Sequence, residues 1–138
     1  MFDISRLGIN NLDAGAQMEV VSPATGTVAL DEKGKPLTIT LLGRLSEKYQ
    51  AVVRAQINKR LASASRSGAK PSTVEEADKN QLEQLVAATV GWSFDKMDGK
   101  PFPCNEENAR LFWADRRFEP VRRQAALFLE DDTNFLRI

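Results

Sequence analysis

The chain contains no histidine and one cysteine, and these two shortages close most familiar routes to catalysis. Without histidine there is no Ser-His-Asp or Cys-His system within the chain. A His-containing zinc site is equally excluded, and one thiolate cannot build a cage. A lone cysteine forms no internal disulfide, which suits a reducing interior. Net charge is missing too: 19 Lys and Arg balance 19 Asp and Glu, so no global field steers the molecule toward nucleic acid or an anionic membrane. No apolar run approaches the roughly 20 residues that span a bilayer. The opening MFDISRLGINNLDAGAQ lacks the basic stretch and apolar core of a signal peptide. A cytosolic protein without a membrane partner is expected.

What is present suffices for one hydrophobic core: 138 residues, 42% apolar and 28% charged, read as a single domain over 1–138. Residues 1–16 carry Gly8, Asn10, Asn11, Asp13 and Gly15 with little periodicity and read as a mobile arm, with Phe2, Ile4 and Leu7 available for docking. Residues 17–22 make a short strand and 27–30 another, separated by the turn chemistry of Ser22-Pro23-Ala24-Thr25-Gly26. After the Gly34-containing loop, Leu37, Ile39 and Leu41 alternate with Thr38 and Thr40. That pattern is a strand with one buried face, so a small antiparallel sheet is expected.

Gly43 closes this strand and Ser46 caps a helix running to about Ala64. Leu45, Tyr49, Val53, Ile57 and Leu61, with Val52 alongside, form its apolar stripe. Residues 63–72 read as a flexible loop. Ser72 and Glu75 fit a capping box for a second helix to about Val90, with Val74, Ala77, Leu82, Leu85, Val86 and Thr89 or Val90 buried. Glu75, Glu76 and Asp78 crowd its first turn, where the helix dipole favours them, and could also face the basic helix before it. Residues 90–94 are extended, Asp98-Gly99-Lys100 is a turn, and Pro101-Phe102-Pro103 extends again. Asn105 caps a third helix whose bulk is Leu111, Phe112 and Trp113. Pro120 opens a fourth with Val121, Ala125, Phe128 and Leu129 inward. The expected class is therefore α+β: a small N-terminal antiparallel sheet, then about four helices, with a short extended or hairpin segment between the second and third.

Chemical motifs fail one by one. If Gly99 is the sixth position of a calcium loop, Phe94, Lys96 and Asn105 fall where ligands belong, so Asp98-Gly99 is a turn. Gly34-Lys35 and Gly99-Lys100 precede proline rather than Ser or Thr and are not phosphate loops. Glu106 and Glu107 are adjacent on a helix and do not face each other. Cys104 sits before a helix N-terminus, which can lower a thiol pKa, but it has no histidine partner. No catalytic residue, cofactor or metal ligand is assigned.

Two features remain for binding. Between residues 44 and 70 there are seven basic residues against Glu47 alone, a surface for a partner or, alternatively, for phosphates. Residues 91–113 hold both tryptophans and three phenylalanines, and aromatics serve cores and interfaces alike. The candidate partner residues are Tyr49, Arg54, Lys59 and Arg60 on the first helix, and Trp92, Phe94, Phe102 and Trp113 in the aromatic stretch.

Two passages also carry a family pattern. One is Leu37-Thr38-Ile39-Thr40-Leu41-Leu42-Gly43-Arg44-Leu45-Ser46-Glu47-Lys48-Tyr49, preceded by Ser22-Pro23-Ala24-Thr25-Gly26. The other is Gly91-Trp92-Ser93-Phe94, then Asp98-Gly99-Lys100-Pro101-Phe102-Pro103-Cys104-Asn105, continuing over 122–135 to Asn134-Phe135. Together they cover about two thirds of the chain and resemble the small tail assembly chaperones of long-tailed bacteriophages; Leu45 stands where that pattern has an acid. The resemblance implies a helical or α+β protein without cofactor that acts in the host cytoplasm. It implies coating of the tape-measure protein before the tail tube polymerises, possible contact with the tube protein, and self-association. A structural tail or neck component, or a small nucleic-acid-binding or regulatory protein using the 44–70 surface, are the alternative readings.

Overall fold

The computed structural model describes residues 3–9, 11–67 and 73–136. Strands β1 (Gly15–Glu19), β2 (Thr38–Leu42) and β3 (Thr89–Trp92) form an antiparallel sheet in that order, with β2 central. The helices are α1 (Glu47–Ser67), α2 (Val74–Ala88), α3 (Glu106–Ala114) and α4 (Glu119–Glu130). Between β3 and α3 a two-stranded hairpin pairs β4 (Lys96–Met97) with β5 (Lys100–Pro101). This is the expected α+β arrangement of a small sheet followed by four helices. Among the described residues no helix is long and apolar enough to cross a membrane.

The sheet differs from expectation in two respects. The first strand starts earlier, at Gly15, because its register with β2 runs from Gly15↔Leu42 to Glu19↔Thr38; residues 15 and 16 thus belong to the sheet, not to an arm. Ile4 and Leu7 lie in a short 3-10 turn with their side chains exposed, so neither docks; Phe2 is outside the described residues. The expected strand at 27–30 is reduced to isolated bridges, Val21↔Val28 and Leu30↔Pro36. Tight turns at Gly26 (φ 72°) and Gly34 (φ 77°) leave little straight chain between them. The third strand instead comes from the end of α2, with a bulge where β3 passes Thr40 and Leu41.

Ile39 and Leu41 are fully buried, as their alternation requires. Gly43 does more than end the strand: a Cβ there would lie 3.2 Å from the ring of Phe135, which is itself buried. Ser46 caps α1 by accepting the Tyr49 N–H at 3.3 Å while its hydroxyl donates to the Gly43 carbonyl at 2.8 Å. The helix then continues through Ser67, so residues 63–67 are helical rather than loop. For α2 the cap is Thr73, whose hydroxyl accepts the Glu76 N–H at 3.1 Å; Ser72 is outside the described residues. Asn105 caps α3 as expected, accepting the Asn108 N–H at 2.8 Å.

The core joins Met18, Ile39 and Leu41 of the sheet to Leu85, Val86, Phe112, Trp113, Val121, Ala125 and Leu129 of the helices. Leu111 points outward, 57% exposed, leaving Phe112 and Trp113 as the inward bulk of α3. Gln124 on α4 clasps the chain after β1. Its amide nitrogen donates to the Val21 carbonyl at 2.7 Å, and its amide oxygen accepts the Val21 N–H at 2.8 Å. One side chain thus takes the place of a neighbouring strand.

Candidate partner-binding surface

The aromatic stretch folds into a continuous stack. Trp92 lies between Phe94 (centroids 4.7 Å apart) and Phe102 (5.3 Å, rings within 3° of parallel). Its indole N–H donates to the Phe102 carbonyl at 3.1 Å. Phe112 links this stack to Trp113 and Phe118. Trp92 and Phe94 are half-buried; Phe102 is buried. Trp113 is 1% exposed, and its indole N–H donates at 2.9 Å to the Thr89 hydroxyl, which donates in turn to the Leu85 carbonyl at 2.7 Å. Trp113 and Phe102 are therefore core side chains, and Trp92 and Phe94 are the members of this group with an open edge.

Tyr49 is also inside. Its hydroxyl donates to Gln84 Oε1 at 3.1 Å, and burial pushes its pKa above the ordinary phenol value. It begins a relay between the first two helices: Gln84 Nε2 donates to Gln56 Oε1 at 2.9 Å, and Gln56 Nε2 to the Asn80 carbonyl at 3.0 Å. Beyond this relay the expected apolar stripes leave the core. Ile57 is 52% exposed, Leu61 63% and Val74 84%; Ala77 and Leu45 are exposed as well. The physical reason is the spacing. A residue every fourth position on a 3.6-residue helix advances about 40° per step, so Ile57 and Leu61 have turned roughly 80° and 120° from Tyr49. Gln56 has replaced them opposite α2.

The charges of this outer half are largely unspent. Arg54 pairs with Glu47 at 2.6 Å. Lys59, Arg60, Glu75 and Glu76 are exposed and make no ion pair among the described residues. The acidic start of α2 makes no ion pair with α1 among the described residues: Asp78 reaches Arg122 on α4 at 3.0 Å. Arg122 also donates to Gln81 and to the Asp78 carbonyl. It forms one wall of a cavity of about 320 Å³ between α2 and the start of α4, where Arg116, Arg122 and Arg123 face Asp78, Asp115 and Glu119. Three guanidinium groups against three carboxylates leave that cavity without a preferred ion.

Cys104 is half-buried and its thiol pKa is raised by burial, with Lys48 acting in the opposite sense. Desolvation therefore outweighs the attraction of the Lys48 charge. Among the described residues no three His, Cys, Asp or Glu side chains are placed so that they could hold a metal ion. What the sequence left unseen is the apolar exposure of Ile57, Leu61 and Val74; the four-residue spacing was the available signal. Comparison with protein-family models, with curated proteins and with solved structures finds no match to the chain.

Proposed function

We propose that the chain is a non-enzymatic tail assembly chaperone of a long-tailed bacteriophage, which holds the tape-measure protein in the host cytoplasm until the tube forms around it. The observation that carries this reading is the outer half of the α1–α2 hairpin. It exposes Ile57, Leu61 and Val74 beside Lys59, Arg60, Glu75 and Glu76, which make no ion pair among the described residues. A groove or face for an amphipathic helix needs this mixture of apolar anchors and charged rims. The family pattern in the two passages described above supplies the identity of the client. The half-buried Trp92 and Phe94 form a second, smaller apolar edge.

The test is co-expression with a long helical tape-measure protein. The two should co-purify, and Ile57→Asp with Leu61→Asp should weaken capture at least tenfold without unfolding the protein, since both positions are exposed. Mass spectrometry of finished particles decides against the main alternative: stoichiometric presence in virions would make the chain a structural tail or neck component. Lys48, Lys59 and Arg60 keep the nucleic-acid reading in view, and that reading requires DNA or RNA binding at low salt that falls steeply as salt rises.

A further inference from the structure

The β4–β5 hairpin is joined to the molecule by very little. Its strands are two residues each, and Pro101, paired with Lys96, has no N–H to give. Of residues 95–101, only Met97 is withdrawn from solvent; the other six are exposed. A two-stranded ribbon of this size has no stability of its own, so tertiary ties must hold it. Its turn is well built: Asp98 and Gly99 both have positive φ, 53° and 79°, the pattern of a type I′ hairpin turn. Where the strand pair begins and ends, the Phe102 N–H donates to the Asp95 carbonyl at 2.8 Å. Beyond those two residues the chain is anchored by the Trp92 stack.

Among the described residues the one polar tie from the tip is Arg117, in the 3-10 turn before α4. Its guanidinium forks onto both oxygens of Asp98 at 2.8 and 3.1 Å, holds Asp115 at 2.8 Å, and passes within 3.7 Å of the Met97 sulfur. It also lies 5.3 Å from the Phe118 ring centroid. The polar contacts of the hairpin, from the thioether and the carboxylate, thus converge on one arginine, while Met97 also packs against the core. Asp115 is bound to Arg117 through the same turn and stays with the body when the tip leaves. Bidentate geometry shared with a second carboxylate makes this pair stronger than an ordinary surface ion pair, and salt still screens it.

We infer that residues 96–101 form a hinged strap that opens as a unit ahead of global unfolding, hinged at Asp95 and Phe102, whose mutual hydrogen bond closes it, and latched by Arg117 on Asp98. Opening frees Met97 and the Asp98–Gly99 tip while the aromatic stack stays closed. The device is independent of the chaperone reading.

Amide hydrogen exchange on the whole chain tests it. The Phe102 amide should exchange well before those of Leu41 and Ala125, and faster in high salt. Asp98→Asn keeps a residue that tolerates positive φ and removes the latch charge; it should raise exchange across 96–102 about fivefold and leave Leu41 and Ala125 unchanged. Arg117→Ala should act in the same direction, and Arg117→Lys should fall between. Exchange of the strap at the rate of the core, or an equal rise throughout the protein in Asp98→Asn, would overturn the inference.

Discussion

Trp113 and Trp92 illustrate how one residue type plays two parts. Trp113 is enclosed and its only polar atom is satisfied by Thr89, so Trp113→Ala is expected to cost about 3–5 kcal/mol in urea unfolding. Trp92 keeps an open edge and should cost less, about 2 kcal/mol. Thr89→Val removes the acceptor while leaving the indole N–H buried, and about 1–3 kcal/mol should be lost. Glycine matters at Gly43, where an added methyl meets the enclosed Phe135 ring. Gly43→Ala is expected to lower stability by about 1–2 kcal/mol, since that ring has little room to yield.

Among elements, those determined locally were legible and those determined by distant partners were not. Ser46, Asn105 and Pro120 announce helix starts because caps act within one turn. The alternation about Ile39 and Leu41 identifies β2 for the same reason. That residues 89–92 join β2, or that Gln124 occupies the side of Val21, depends on chain brought in from far along the sequence. Periodicity likewise reveals a stripe but not what lies opposite it, which is why Ile57 and Leu61 read as core and emerge exposed. The candidate surface was therefore half legible: Lys59 and Arg60 were named, while the apolar anchors beside them were assigned inward. One element-scale outcome follows from the clasp. Gln124→Ala leaves the Val21 N–H and carbonyl without their partner and should cost about 1–2 kcal/mol, with exchange at Val21 rising more than at Leu41.

For the whole molecule, the absence of histidine removes the one side chain whose ordinary pKa lies near neutrality. Glu83, held by Arg110, and Asp98 and Asp115, held by Arg117, have carboxyl pKa values below the ordinary range. A lowered folded-state pKa contributes stability that is present above the unfolded value and lost as pH falls through the folded one. Burial raises Cys104 and Tyr49 above their ordinary values, so the neutral forms are favoured and stability declines as pH climbs past both. Thermal unfolding should therefore be flat between about pH 5 and 8, and fall below about pH 4 and above about pH 9. A transition near pH 6.5 would contradict this. The clasp also bears on the order in which the protein is made. Gln124 and Val21 are 103 positions apart, Phe135 closes over Gly43, and β2 waits for residues 89–92 to complete its second edge. A ribosome releases the sheet's first two strands long before the parts that finish it. Residues 15–135 must therefore all emerge before the fold can close, and refolding should be slower than for a helical bundle of equal length.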